Sequence, residues 1–262
     1  MLDIQHISKT FYPGTVNEKK AITDLSLHVE KGDFISIIGA NGAGKSTLFN
    51  CIAGVFLTDS GTIMLDGEDI TMVPEYIRSR KIGRIFQNPV LGTAPDMSIG
   101  ENLALACGKG GWLSTVSKKE KLAFREKLAS LDMCLEDRMD HPVGLLSGGQ
   151  RQVIALIMST YNPPSLLMLD EHTAALDPAT SEKVLTLTQD IVAENQLTCL
   201  MITHNMQSAL SLGNRTLMMD QGNIIYDVKG PEREKTTVSD LMTLFKERSG
   251  KALDNDRMLL EK

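Results

Sequence analysis

Three short strings in this sequence combine residue types and spacings suited to chemistry. The first is GANGAGKS, Gly39 to Ser46, which fits the pattern G-x-x-x-x-G-K-[ST]. Glycines let a backbone curl until successive N–H groups face one phosphate, and a helix starting there adds its positive end. In that reading Lys45 reaches the β- and γ-phosphates of a nucleotide. The Ser46 hydroxyl becomes a ligand for Mg²⁺, an ion that keeps most of its waters. The second string, SLLMLDE, ends a short apolar run on Asp170 and Glu171. An acidic pair at the end of a buried strand sits at the carboxyl edge where α/β sheets put their ligands. Asp170 there can hold Mg²⁺ through water, and Glu171 can polarise a water for attack on a γ-phosphorus. The plain alternative is that the two acids cap the next helix. The third string, LLSGGQRQ from Leu145 to Gln152, runs a Ser-Gly-Gly turn into the apolar QVIALIMST. Its Ser147 hydroxyl and Gly149 N–H offer a second anion site at a helix N-terminus.

Each string needs particular elements to position it. FISIIGA, from Phe34, is a nearly continuous apolar run ending in glycines and leading into STLFNCIAGVF, which predicts a buried strand feeding a helix. SLLMLDE and TCLMITH, the latter ending at His204, are runs of the same kind, with the helical stretch PATSEKVLTLTQDIVAENQ between them. Strand, helix, strand in that order predicts right-handed crossovers and a parallel sheet. Before them, MLDIQHISKTF and AITDLSLHVEKGD alternate apolar and polar residues about a Pro13–Gly14 turn, as half-buried antiparallel strands do. From Asn88 to Arg151 the period is helical, as at Phe124, Leu128 and Leu131, which predicts an inserted helical subdomain over 88–151. Its segment GKGGWLSTVSKK is expected to be an exposed loop. TLMMDQGNIIYDV shows two apolar runs about a Gln-Gly turn and predicts a hairpin, after which RSGKALDNDRMLLEK has the composition of a polar tail. One main domain is thus expected over 1–230, with a short helical or polar tail over 231–262.

The 262 residues include 42% hydrophobic ones, enough for a large α/β core, which excludes a disordered or fibrous chain. A formal charge of −6 argues against a dedicated nucleic-acid binder. The four cysteines lie far apart with no CxxC pair, as expected of reduced thiols in a cytosol. No run of about 18 apolar residues occurs, and Asp3 and His6 interrupt the place of a signal peptide, so the chain is not expected to enter a membrane.

A phosphate cradle by itself leaves kinases, GTPases, helicases and transporter subunits open. The ordered set GANGAGKST, Gln87, LSGGQRQ, LLMLDE, AALD and His204, however, resembles the nucleotide-binding subunit of an ATP-binding cassette transporter over about residues 1–230. That resemblance implies a P-loop α/β fold with a mainly parallel core sheet, an N-terminal antiparallel β subdomain and the helical insertion. It further implies that ATP is bound by Gly39, Asn41, Gly42, Ala43, Gly44, Lys45, Ser46 and Thr47. Two copies would face head to tail, with Ser147, Gly148, Gly149 and Gln150 serving the ATP of the other copy. Gln87 corresponds to the glutamine that senses Mg²⁺ and the attacking water, so Ser46, Gln87 and Asp170 form the metal set. Glu171, His204, Gln87 and Lys45 form the catalytic set, with His204 on the γ-phosphate. Asp177, in AALDP, matches the residue that links the two sites, and is also a natural helix cap before Pro178. An aromatic residue near the N-terminus stacks on adenine in such proteins. KTFYPG offers Phe11 and Tyr12, and the usual register favours Phe11.

One residue departs from the pattern: His172 stands where the family has proline after the catalytic glutamate. The resemblance implies hydrolysis of ATP with Mg²⁺, separate membrane permease subunits, a solute-binding protein outside the cell, and a peripheral place on the cytoplasmic face of the membrane. The unfused acidic chain looks most like bacterial importers, and IGANGAGKSTLFNCIAGVFLTDSGTIMLDGEDIT looks closest to those for amino acids. NPVLGTAPDMSIGEN, after Gln87, is by the same resemblance the surface that grips the permease. The competing readings are a soluble cassette ATPase of DNA repair or translation, and a small-molecule kinase. The first lacks its usual coiled coils or tandem cassettes here, and the second has no use for LSGGQRQ.

Overall fold

The computed structural model describes residues 1–108, 118–129, 131 and 133–249. They form two compact units, Met1–Ile82 with Gln196–Lys262, and Gly83–Asn195. The first begins with β1 (Leu2–Phe11), β2 (Lys19–Val29), β3 (Phe34–Gly39), α1 (Lys45–Ala53), β4 (Ser60–Leu65), β5 (Glu68–Asp69) and α2 (Glu75–Arg78). The second carries β6 (Ile82–Ile85), a 3₁₀ turn (Pro89–Gly92), α3 (Ile99–Ala106), α4 (Lys118–Ala129), α5 (Gly148–Thr160), β7 (Leu166–Asp170) and α6 (Pro178–Glu194). The chain then returns to the first unit with β8 (Thr198–Ile202), α7 (Met206–Ser211), β9 (Arg215–Asp220), β10 (Asn223–Lys229), α8 (Gly230–Lys235) and α9 (Val238–Ser249).

In the first unit, β2-β1-β4-β5 form an antiparallel sheet. Its β1 does not alternate strictly. Leu2, Ile4 and Ile7 are buried, and the three-residue step between the last two is taken up by a register shift, with His6 at φ 51°. An extra residue of this kind is how a bulge keeps both flanking apolar side chains on the core face. All six residues of β3 are buried because it pairs in parallel with both β8 and β9. The predicted hairpin is β9–β10, antiparallel about Gln221 and Gly222. Beyond it α9 is a core helix: Leu241 and Phe245, one turn apart, pack with Ile38, Met206, Ala209 and Met218. The polar segment from Gly250 onward lies outside the described residues.

In the second unit β6 and β7 are neighbours, and α3, α4, α5 and α6 share a core that includes Ile99, Leu103, Phe124, Leu128, Ile154 and Val184. The period at Phe124 and Leu128 is therefore that of α4, with Leu131 packed at its margin. The stretch 109–117, expected as an exposed loop, lies outside the described residues. Asn102, fully buried on α3, bonds Ala94 N–H through its Oδ1 and the carbonyls of Ala94, Met97 and Ser98 through its Nδ2. One side chain thereby fixes the loop that follows the 3₁₀ turn.

Candidate functional site

In the first unit the loop between β3 and α1 is shaped by glycines with positive φ, Gly39 at 146°, Gly42 at 81° and Gly44 at 103°. Gly44 also has no room for a side chain, since a Cβ would stand 2.5 Å from the Ala21 carbonyl oxygen. Helices α3, α5, α6 and α7 are each capped by a side chain, from Ser98, Ser147, Asp177 and Asn205. By contrast α1 has no side-chain cap and no acidic residue in its first turn. No carboxylate of that turn neutralises its leading N–H groups, which suits an anionic ligand. Lys45 is 5% exposed and its Nζ donates to the carbonyls of Gly39 at 2.7 Å and Ala40 at 3.0 Å, folding the ammonium back onto the loop. Asn41, Gly42 and Ser46 are exposed, Thr47 half-buried, and Ala43 buried. These residues fit a polyphosphate.

Two supports of this loop carry no motif. Ile37 pairs with Ile202 across β3 and β8, so Gly39 and His204, each two residues further on, leave the sheet at the same edge. Arg78, 2% exposed, donates to the carbonyls of Cys51 and Ile52 at the end of α1, and to those of Val73 and Thr71. A cation at that end complements the helix dipole, and burial holds its guanidinium below the usual arginine range. Arg78 is invisible in the sequence because its partners are backbone carbonyls, which leave no spacing rule. At the start of the unit, Phe11 meets Phe56 edge to face at 5.2 Å with Lys9 Nζ 5.9 Å from its ring. Tyr12 is 69% exposed at the turn.

In the second unit, Asp170 ends β7 and Glu171 follows at φ 48°, a left-handed conformation unusual for a residue with a long side chain. Arg84 of β6 approaches Asp170 at 3.6 Å and lies 4.7 Å from the Phe86 ring. Gln87 is exposed two residues past β6, and the side-chain Nε2 of Gln152 donates to the Phe86 carbonyl. His172 is fully buried, and burial pushes its imidazole down to about 4, so it is neutral near pH 7. Thr188 on α6 donates its hydroxyl proton to the Val184 carbonyl at 2.7 Å, leaving its oxygen to accept from His172 Nε2 at 3.3 Å.

Ser147 and Gln150 form a reciprocal cap on α5. Ser147 Oγ accepts from Gln150 N–H at 3.3 Å and Gln150 Oε1 accepts from Ser147 N–H at 3.2 Å. The Ser147 proton stays available to a ligand, and Ser147 and Gly148 are exposed. Arg151 braces the approach by donating to the carbonyls of Val143, Gly144 and Leu146. Asp177 caps α6, its Oδ1 accepting from Thr180 N–H at 3.1 Å with Pro178 at the first helical position. Bonding to Thr180 holds the Asp177 carboxyl below the usual range. Among the described residues no three His, Cys, Asp or Glu side chains gather as a metal cage.

An α/β chain with a glycine-shaped strand-to-helix loop of the G-x-x-x-x-G-K-[ST] pattern at a sheet edge is of the P-loop nucleotide-binding class. Known proteins narrow the class. A family model described as ABC transporter matches residues 22–174. The chain is 45% identical over 253 residues to a tyrosine transport ATP-binding protein of Clostridioides difficile, spanning 94% of this chain and 98% of that one. It is 35% identical over 234 residues to the methionine import ATP-binding protein MetN of Photobacterium profundum, spanning 88% and 65%. A solved dimer of the ATP-binding cassette MJ0796, in a post-hydrolysis state with ADP and Pi, matches with TM-score 0.72 and 28% identity over 87% of this chain and 98% of that one. The chain belongs to the ABC transporter family. It is an ATP-binding, ATP-hydrolysing transport subunit, and the repair, translation and kinase readings are set aside. Among the described residues no helix is long and apolar enough to cross a membrane.

Proposed function

We propose that this chain powers the uptake of amino acids. It works as a pair of identical copies bound to separate permease subunits on the cytoplasmic face of the membrane, with a solute-binding protein outside. The observation that carries this reading is the 45% identity, along 94% of the chain, to a tyrosine transport ATP-binding protein. Residues 39–47 hold the triphosphate and Lys45 turns its ammonium from the loop carbonyls to the β- and γ-phosphates. Ser46, Asp170 and Gln87 hold Mg²⁺, which shields the phosphate charge when bound. Glu171 accepts a hydrogen bond from the attacking water, His204 contacts the γ-phosphate, and Phe11 stacks on adenine. Ser147, Gly148, Gly149 and Gln150 serve the nucleotide of the opposite copy, and Asp177 links the two sites. ATP then joins the copies, and loss of the γ-phosphate loosens them.

The experiment is reconstitution in liposomes with the permease and binding protein encoded beside this chain. ATP-dependent accumulation of labelled tyrosine, methionine or another amino acid, absent with Lys45→Ala, is expected. ATP-dependent export, or uptake of no amino acid in a panel of the twenty while another solute is carried, overturns the reading.

A further inference from the structure

The peptide after Glu171 is held in an unusual way. Glu171 has φ 48°, and its carbonyl accepts from Ala174 N–H at 3.0 Å, so the carboxylate stands on a tight turn directly off β7. A second turn follows, with Leu176 N–H donating to the Thr173 carbonyl, and Asp177 then caps α6. The only buried side chain between Glu171 and Asp177 is that of His172. It reaches α6 at Thr188, itself 1% exposed and anchored to the Val184 carbonyl one turn earlier. Proline, at this place in the family pattern, would stiffen the chain through its ring and by removing an N–H. Histidine has neither property, so beside the two backbone turns it is the side-chain bond to Thr188 that restrains this peptide.

We infer that His172 is a positioning residue: its imidazole, donating to Thr188, ties the Glu171 turn to α6 and keeps the carboxylate where it meets the attacking water. This rests on Glu171 being the polarising base. A residue in the left-handed region relaxes unless its surroundings hold it, and small displacements of a reacting group are costly in rate. The link between His172 and Thr188 therefore acts on kcat and leaves nucleotide binding alone.

The test compares kcat, KM, the dissociation constant of a fluorescent ATP analogue, and Tm for Glu171→Gln, His172→Ala, His172→Gln and Thr188→Val in the full chain. Glutamine can place an amide N–H near the position of imidazole Nε2. Expected are losses in kcat of about tenfold for His172→Ala and Thr188→Val, with KM and the dissociation constant within about twofold, and recovery of most of kcat in His172→Gln. The double variant His172→Ala with Thr188→Val should lose no more than either single one. If Glu171→Gln is inactive while Thr188→Val keeps parent kcat, the inference is overturned and the role of Glu171 stands. If Glu171→Gln turns over at the parent rate, the role of Glu171 falls first. Parallel losses of kcat, affinity and Tm, with no recovery in His172→Gln, would reduce His172 to a packing residue. Should His172→Ala fail to fold, Thr188→Val decides by itself.

Discussion

Gly149 and Thr180 meet so closely that a Cβ added to the glycine would stand 2.1 Å from the threonine Cγ2. Gly148 is exposed and less confined, its Cβ position lying 3.3 Å from Leu176 Cδ2, the flexible end of a side chain. The second glycine of LSGGQ is thus required by the packing of α5 on the start of α6, apart from any part its N–H plays toward phosphate. Gly149→Ala should cost about 1–3 kcal/mol through overpacking, or roughly 2–6 °C in Tm for a chain of this size. Thr180→Ser removes the methyl and keeps the backbone N–H bonded to Asp177. The double variant should therefore regain most of the loss in thermal unfolding, and an unchanged Tm in Gly149→Ala alone would contradict the contact.

Glu171→Gln keeps size and backbone preference while removing the basic oxygen. ATP binding should persist and turnover should fall about 100-fold or more. The arrested protein should accumulate as an ATP-dependent dimer in light scattering. Turnover at the parent rate removes Glu171 from its role.

Ser147→Arg and Lys45→Ala lesion opposite halves of a shared site. Each protein alone should be inactive. Mixed, they can form a dimer in which one site carries both lesions and the other carries neither, so partial ATPase should return. Full activity in Ser147→Arg alone speaks against head-to-tail pairing.

Phe11→Ala should raise KM for ATP about tenfold, since stacking of a base on an aromatic ring is worth about 1–3 kcal/mol. Tyr12→Ala, at a 69% exposed turn position, should stay near the parent value. A reversal of the two results moves adenine to Tyr12.

Burial lowers His172 to about 4, against about 6.5 in an unfolded chain. The unfolded state binds the extra proton first, so the His172 contribution is complete above pH 6.5 and is lost as pH falls toward 4. The loss is of order 3 kcal/mol. Tm measured without nucleotide should drop across that window, and His172→Gln should flatten the drop. Parallel pH curves for the two proteins would refute it.

Short-range rules make much of this molecule legible from sequence. FISIIG, LLMLD and TCLMI are apolar throughout, and only a strand covered on both faces tolerates that, so β3, β7 and β8 follow from composition. GANGAGKS names its own backbone, because glycine alone enters those φ values without strain. The serine at 147 and the aspartate at 177 announce helix starts by chemistry that acts over three residues. What sequence could not determine depends on partners far along the chain or on backbone atoms without a code. Arg78 serves the end of α1 through carbonyls some 26 residues away. Arg84 faces Asp170 because β6 lies beside β7. His172 reads as a replaced proline until α6 brings Thr188 to its ring. Gly149 reads as a phosphate glycine until Thr180 is seen against it. In each case the residue type permits several roles, and the close packing of helices and strands adds the neighbour that sequence by itself does not show.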